Sequence, residues 1–344
     1  MVDESTFPLY RLPFVVLKVA LDCLDPHDIL RLSMVSKKSY SICKVFRKKV
    51  RNLSVRFNSL SDICSACMHT IFSVNSSSEV SPEDSKLESL IVKDTVLQIK
   101  MDEYIHLSFY CIDRLACLTI LYEYLTDFYE VPLYEVELDG DSITVLNGVL
   151  ARQETLSHCC LSCSKSGDEE VRWFLDRIEN RVTQCLILNV TTSESFRLNL
   201  RQPIKTDLIC FGSWHTLSFD NFNELNCRGM IVHKTSLTCE NLNSYLKKWV
   251  IGGGNPNLGC LELRLNSINV DTVLNGIEFI HRHHQNNVYY GFNKGSFSWK
   301  FNESYEIKRN DSTIASVIMK NGQNGEFKLC VWPDVFGNVY PEVE

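Results

Sequence analysis

The sequence predicts an α+β protein in which three short helices at residues 5–50 precede a long αβ region at residues 51–344. Three observations predict this class. Residues 5–50 carry the apolar spacing and the end signals of short helices. From residue 87 onward, short apolar strands alternate with amphipathic helical segments. Residues 304–333 alternate apolar and polar positions between Asn, Asp and Gly turns, which predicts a small antiparallel sheet at the end of the chain.

The first predicted helix begins at Pro13. Proline suits the first position of a helix, where the amide that it lacks would have no partner within the helix. Apolar residues then recur at helical spacing, and they define one face of this helix: Val16, Leu17, Ala20, Leu21 and Leu24.

The second and third helices are marked by amino-terminal caps. Asp25 is followed by Pro26 and Asp28, which supply a cap, a first-turn proline and a carboxylate at the positive helix end. Ser36 is the predicted cap of the third helix. Basic residues cluster near the carboxyl end of that helix, where the helix dipole favours cations: Lys44, Arg47, Lys48 and Lys49. Three short helices with this much apolar surface cannot close a core, so we expect them to dock onto another protein.

The run from Phe7 to Tyr40 resembles an F-box. It contains Leu12-Pro13, then Leu24-Asp25-Pro26-x-Asp28-Ile29-Leu30, and then Leu32-Ser33-x-Val35-Ser36. The resemblance implies that the chain binds a Skp-family adaptor, which joins it to a cullin scaffold bearing a RING protein and a ubiquitin-conjugating enzyme. It also implies that the following residues lie in the adaptor interface or support it: Leu12, Pro13, Leu17, Leu24, Pro26, Ile29, Leu30, Leu32, Ser33, Val35 and Ser36. The alternative is a helical subdomain that packs only on the rest of this chain.

Composition favours a globular protein inside the cell. The 344 residues are 44% hydrophobic and 22% charged, and the net charge of −7 argues against general binding to nucleic acid. There is no apolar run long enough to span a membrane, and the acidic start Met1-Val2-Asp3-Glu4 differs from a signal peptide. We therefore expect a cytoplasmic or nuclear location.

The fifteen cysteines are interpreted mainly as buried thiols. Several lie inside apolar runs, where Cys acts as a small hydrophobic residue: Cys111, Cys185, Cys210, Cys260 and Cys330. Two clusters have ligand types that suit zinc, namely Cys64-x-x-Cys67-x-His69 and His158-Cys159-Cys160-x-x-Cys163. Each is at best half of a site, so we expect neither a metal nor a cofactor.

The αβ region begins with a predicted strand at 53–57 and a Ser-rich flexible loop at 73–86. The pattern then predicts strands at 87–92, 96–101 and 133–138 and a helix at 112–128. Further on, Gly167 or Asp168 begins a helix, strands follow at 185–188 and 230–232, and Thr238 caps a helix that Gly252-Gly253-Gly254 ends. The next strand is 261–266.

These helix–strand units resemble a degenerate leucine-rich repeat array, which implies an αβ solenoid whose units pack on their neighbours. Within it, Leu237-Thr238-x-Glu240-Asn241-Leu242 and Gly253-Gly254-Asn255-Pro256-Asn257-Leu258 are similar to the type-2 F-box-associated domain of the expanded nematode F-box family. That resemblance covers 205–266. The segments 307–311, 315–317 and 327–332 are similar to the tail of the same family.

No catalytic motif stands out. Gly252-Gly253-Gly254 follows a predicted helix and lacks the lysine of a phosphate loop. His281, His283 and His284 are predicted to end a helix, where they would satisfy carbonyl groups. Phe297 and Trp299 are less clearly core residues and are candidate exposed anchors.

Three functions follow from these patterns. The first is a non-catalytic substrate receptor of a ubiquitin ligase, which binds the adaptor through its helices and an unidentified target through the αβ region. The second is an adaptor-bound scaffold that delivers no substrate. The third is an enzyme with a cryptic site in the αβ region.

Overall fold

Two units make up the chain, Met1–Glu137 and Leu138–Glu344, and each is considered separately. The computed structural model describes residues 9–58, 62–65, 68–76, 87–101, 107–163, 167–193, 195–197, 204–212, 219–233, 235–292, 297–320, 325–335 and 337–340. In that part of the chain, no helix has both the length and the apolar character needed to cross a membrane.

The first unit starts with helices and continues as a sheet. After a 3₁₀ turn at Leu9–Arg11, its elements are α1 (Phe14–Asp22), α2 (Pro26–Met34), α3 (Lys37–Phe46), β1 (Leu53–Phe57), β2 (Asp62–Ser65), β3 (Met68–Ser76), β4 (Glu88–Val92), β5 (Thr95–Met101), β6 (Leu107–Cys111), α4 (Arg114–Tyr129) and β7 (Leu133–Leu138).

The predicted helix caps are confirmed at two positions. The Asp25 carboxylate accepts a hydrogen bond from the Asp28 amide at 2.8 Å, and the Ser36 hydroxyl accepts one from the Ser39 amide at 3.0 Å. The prediction that Pro13 is the first helical residue is wrong by one position. Pro13 has ψ 144°, an extended conformation, so α1 begins at Phe14.

The sheet of the first unit has the order β7-β1-β2-β3-β6-β5-β4. The β3–β6 pair is parallel, and the pairs β1–β2, β2–β3, β5–β6 and β4–β5 are antiparallel. Helix α4 packs on this sheet, where Tyr122 meets Phe57 edge to face at 5.9 Å between ring centroids. One face of the sheet and one face of α4 therefore form the core of this unit.

The predicted loop at 73–86 is wrong over its first four residues. Residues 73–76 continue β3, where Phe72 and Val74 are buried and pairing with β6 satisfies the backbone. The Ser-rich composition misled the prediction, because the alternating burial of Phe72 and Val74 decides this part of the chain. Residues 77–86 lie outside the described residues.

The second unit alternates helices and strands before a final series of strands. After a 3₁₀ turn at Ile143–Val145, its elements are α5 (Leu146–Arg152), β8 (Leu156–Cys163), α6 (Asp168–Ile178), β9 (Val182–Val190), β10 (Leu208–Phe211), α7 (Phe219–Glu224), β11 (Gly229–Val232), α8 (Cys239–Val250), β12 (Cys260–Leu265), α9 (Val270–Val273), β13 (Phe279–Phe292), β14 (Phe297–Lys308), β15 (Ile314–Lys320) and β16 (Gly325–Val331).

The strands β8 to β12 are parallel and adjacent in chain order. Their residues are largely buried, and in β11 all four are. Strand β16 then pairs antiparallel with β12, and β15, β14 and β13 follow in antiparallel order. The terminal antiparallel strands therefore continue the parallel ones in a single mixed sheet within this unit.

The prediction that His281, His283 and His284 end a helix is wrong. Helix α9 stops at Val273, and the histidines lie on the long strand β13. The apolar spacing that suggested a helix also fits a strand, and pairing with the distant β14 decides between the two.

Most of the cysteines named above are buried or half-buried, as predicted. Burial raises the pKa of the Cys227 thiol to about 12 and raises the pKa of the Cys260 thiol well above its ordinary value. Cys111 is buried as well, and its sulfur lies next to that of Cys117.

Of the two candidate zinc half-sites, the structure describes the side chains of the His158–Cys163 cluster. Cys159 and Cys160 are consecutive and buried on β8, so their side chains leave opposite faces of that strand. In the other cluster, Cys67 and the side chains of Cys64 and His69 lie outside the described residues.

Candidate functional site

Helix α1 carries apolar residues on two sides. Leu17 and Leu21 are buried in the first unit. On the outer side Val15 is 71% and Val19 is 59% exposed. We call the exposed residues Phe14, Val15, Val16 and Val19 the α1 face. Contiguous exposed apolar side chains of this kind mark binding surfaces in soluble proteins.

The α1 face is close to the end of α3. The rings of Phe14 and Phe46 lie 5.4 Å apart between centroids, which holds the two helices together at that point. Val45, the neighbour of Phe46, is also exposed, as is Val35 after the end of α2. Exposed apolar residues thus occur on or beside all three helices.

The predicted adaptor residues fall into three groups by burial. Leu17, Ile29, Leu30 and Ser33 are buried inside the first unit, where they can position helices but not touch a partner directly. Pro13, Val35 and Ser36 are exposed, and the remaining four are half-buried: Leu12, Leu24, Pro26 and Leu32.

Sequence reasoning missed Phe14, Val15, Val19 and Val45. It assigned a single apolar face to the first helix, and the residues on that face are mainly buried or half-buried in the structure. A signal was present, because the α1 sequence Phe-Val-Val-Leu-Lys-Val-Ala-Leu-Asp is apolar almost all round. A short helix of that kind needs cover on more than one side.

Helices α2 and α3 are held against α4. The hydroxyl oxygens of Ser33 and Tyr124 lie 2.7 Å apart in a buried contact. The ring of Tyr40 packs on those of Tyr124 and Phe128, with centroid distances of 5.4 and 5.6 Å. Tyr40 therefore faces inward, and these contacts leave the α1 face uncovered.

The basic end of α3 is partly used inside the unit. Lys44 Nζ lies 3.1 Å from a carboxylate oxygen of Glu130, and Arg47 Nη2 lies 2.6 Å from the other. The hydrogen bond from Lys44 and the charge of Arg47 hold the pKa of Glu130 below its usual value. Lys48 Nζ also donates to the Leu24 carbonyl at 3.4 Å, so three of the four predicted basic residues have an intramolecular partner in addition to the helix dipole.

A cavity of about 490 Å³ lies beside the end of α2. Its surface is mainly apolar and includes the side chains of Met34, Val35, Tyr40, Ile91 and Tyr124. At its rim, Lys37 Nζ lies 3.4 Å from Asp94. Three predicted adaptor residues, Ser33, Val35 and Ser36, therefore line an apolar recess.

In the second unit, the predicted start and end of α8 are confirmed. The Thr238 hydroxyl accepts a hydrogen bond from the Asn241 amide at 3.3 Å, and the Asn241 side chain accepts one from the Thr238 amide at 3.0 Å. Gly252 and Gly254 both have φ +83°, which suits the end of a helix.

The candidate anchor Trp299 is half-buried. Its ring stacks on that of the buried Tyr290 at 5.8 Å, with Lys328 Nζ 5.5 Å from the ring centroid. These contacts favour a packing role. The side chain of Phe297 lies outside the described residues.

Two family models match this chain. One is described as an F-box domain and matches residues 9–51, which include α1 to α3. The other, of type 2, is described as F-box associated and matches residues 195–263, which include β10, α7, β11 and α8. No curated protein and no solved structure matches the chain.

The chain therefore carries an F-box domain followed by a type-2 F-box-associated domain. Both domains are typical of non-catalytic substrate receptors, and F-box domains bind Skp-family adaptors within cullin–RING ligases.

Proposed function

We propose that this chain is the substrate-recognition subunit of a Skp–cullin–F-box ubiquitin ligase. The observation that carries the proposal is the α1 face, which lies within the matched F-box and is left uncovered by the rest of the first unit. Burial of such a surface by a partner removes apolar area from water and stabilises the complex.

The adaptor interface combines exposed and supporting residues. The α1 face, Pro13, Val35 and Ser36 contact the adaptor, with Leu12, Leu24, Pro26 and Leu32 at their margins. The buried Leu17, Ile29, Leu30 and Ser33 hold the helices in position. This division follows from burial, since a buried side chain acts on a partner only through the backbone that it positions.

The second unit is proposed to bind the target protein. Its parallel strands follow one another in chain order with helices between several of them, and this supports a leucine-rich-repeat-like αβ array ending in antiparallel strands.

The chain acts by proximity and makes no bond itself. Holding the target and the ubiquitin donor in one assembly replaces a bimolecular encounter with one at a high effective concentration. We place this activity in the cytoplasm or the nucleus, without a cofactor.

Co-purification with a Skp-family adaptor tests the adaptor interface. The wild-type chain and a Val15→Asp, Val19→Asp variant are each co-expressed with the adaptor, and the amount of adaptor retained is measured. Both valines are already exposed, so the variant is expected to fold while losing at least about tenfold in affinity, since a buried interface anchor contributes about 2 kcal/mol or more.

The matched control is Ile251→Asp, an equally exposed apolar residue in the second unit. It should retain the adaptor fully. Failure of the wild-type chain to bind, or equal binding by the α1 variant, would contradict the proposal.

Target delivery needs a separate experiment. Proteins captured by the wild-type chain are identified by mass spectrometry, and their abundance is compared in cells with and without this chain. A receptor predicts that a captured protein accumulates when the chain is removed. Unchanged abundance of every captured protein would instead identify an adaptor-bound scaffold.

A further inference from the structure

Strands β13 and β14 bring three potential metal ligands to one face of an antiparallel ribbon. His281 and His283 are two residues apart on β13, so their side chains leave the same face. Glu303 on β14 is directly opposite His283, and Tyr305 is opposite His281. Glu303 lies 22 positions after His281, so no short sequence motif contains all three ligands.

The ligand atoms converge on a small volume. One ligand atom from each of His281, His283 and Glu303 lies within 4.8 Å of the other two. The His281 Nε2 atom and a Glu303 carboxylate oxygen are 2.7 Å apart, and the rings of His281 and His283 have centroids 4.4 Å apart. Zinc–ligand bonds of about 2.0–2.2 Å place two ligands of a tetrahedral ion about 3.4 Å apart, so small side-chain rotations suffice to admit an ion.

The surrounding residues hold this arrangement in place. The ring of Tyr305 stacks on His281 at 4.6 Å with an angle of 10° between the planes, and Phe279 packs on the edge of Tyr305 at 5.6 Å. Because the backbones of both strands are paired here, the three side chains start from a fixed ladder instead of a loop.

The positively charged Arg282 and the third histidine, His284, lie on the other face of the ribbon. Arg282 Nε pairs with Glu306 at 3.1 Å, and His284 lies 3.2 Å from the Tyr340 hydroxyl. The site face instead carries the Glu303 carboxylate, and its two imidazoles are exposed and reachable by an ion. Two imidazoles and one carboxylate form a ligand set typical of zinc.

We propose that His281, His283 and Glu303 bind one divalent transition-metal ion of the zinc type. The three ligands leave a fourth position, which water or a side chain of a bound protein can occupy. This inference is independent of the proposed ligase function, since it concerns a different part of the chain from the F-box, and it replaces our expectation from sequence that the protein holds no metal.

Binding of Zn²⁺ to the full-length chain, in competition with a chromophoric chelator, tests the proposal. His283→Ala and Glu303→Gln are each expected to lose at least about 100-fold in affinity at one site, because removal even of an outer-shell partner costs 10–100-fold. His284→Asn is the control, since that histidine lies one position away on the opposite face, and it should bind as the wild type does. Circular dichroism checks that each variant is folded.

Substitution with Co²⁺ separates this site from the cysteines. The proposal predicts a visible cobalt spectrum without a thiolate charge-transfer band, which His283→Ala abolishes. Equal affinity in the wild type and in both ligand variants, or a cobalt spectrum dominated by thiolate ligands and unchanged by His283→Ala, would overturn it.

Discussion

The Ser33 hydroxyl lies 2.7 Å from the Tyr124 hydroxyl and joins α2 to α4 across 91 positions of the sequence. Ser33 also donates to the Leu30 carbonyl, so Tyr124 is the donor in the shared bond. Burial raises the pKa of Tyr124 well above its usual value, and the bond to Ser33 partly opposes this shift. A predicted interface residue thus acts inside the unit, where it ties the F-box helices to the helix that covers the sheet.

Removing one partner of this pair should destabilise the first unit. Ser33→Ala leaves the buried Tyr124 hydroxyl without this acceptor, and we expect a loss of about 1–3 kcal/mol in the free energy of unfolding, measured with denaturant. Tyr124→Phe should cost less. The double variant should recover part of the loss because both polar groups are then gone, whereas strictly additive losses would show that the two hydroxyls do not interact.

The Glu130 cluster predicts a specific pH dependence. Lys44 and Arg47 lower the pKa of Glu130 in the folded protein from its ordinary 4.5. A carboxyl with a lowered folded pKa stabilises the folded state above its unfolded pKa and loses that contribution as the pH falls through the folded value. Glu130→Gln should therefore be less stable than the wild type at pH 7, and the difference should shrink below about pH 4.5.

Unfolding at low salt over a series of pH values measures this effect. Glu123→Gln serves as a control from the adjoining helix α4, because that carboxylate pairs with Lys93 instead of Lys44 and Arg47. A difference between Glu130→Gln and wild type that stays constant with pH would show that the ion pairs contribute nothing to the acid dependence.

Close packing around Gly229 leads to a third prediction, which concerns the second unit. A Cβ atom added at Gly229 would lie 2.5 Å from Cζ of the buried Phe292 and 3.0 Å from Cδ1 of Leu208. Gly229→Ala should cost about 1–3 kcal/mol, as overpacking of a core does. Phe292→Leu in the same chain should offset part of the cost, and thermal unfolding of the single and double variants measures both. If Gly229→Ala unfolds as the wild type does, β11 and β13 are not packed as closely as the structure has them.

Local signals were sufficient for many elements. Asp25, Ser36 and Thr238 each begin a helix because a side-chain oxygen accepts a bond from an amide three residues later, which depends only on neighbours in sequence. Burial on both faces makes β11 a continuous apolar run, and alternation of leucine with charged residues marks β12; both patterns are visible in sequence.

Long-range pairing explains most of the errors. The segment that contains His281 has apolar residues at spacings that fit either a helix or a strand, and only β14 decides between them. Residues 73–76 read as a loop by composition but pair with β6. The metal ligands Glu303 and His283 are likewise brought opposite each other by strand register, which a linear search for spaced ligands does not detect.

The sequence by itself determined that the chain carries an F-box domain and an F-box-associated domain, because helix caps, prolines and apolar spacing form local patterns. Only the tertiary structure decided which sides of the three helices are covered. It buries Leu17, Ile29, Leu30 and Ser33 and leaves Val15 and Val19 in water. The physical reason is that a helix apolar on two sides has no preference of its own for either, and packing against neighbouring elements, among them α3, selects which side is buried.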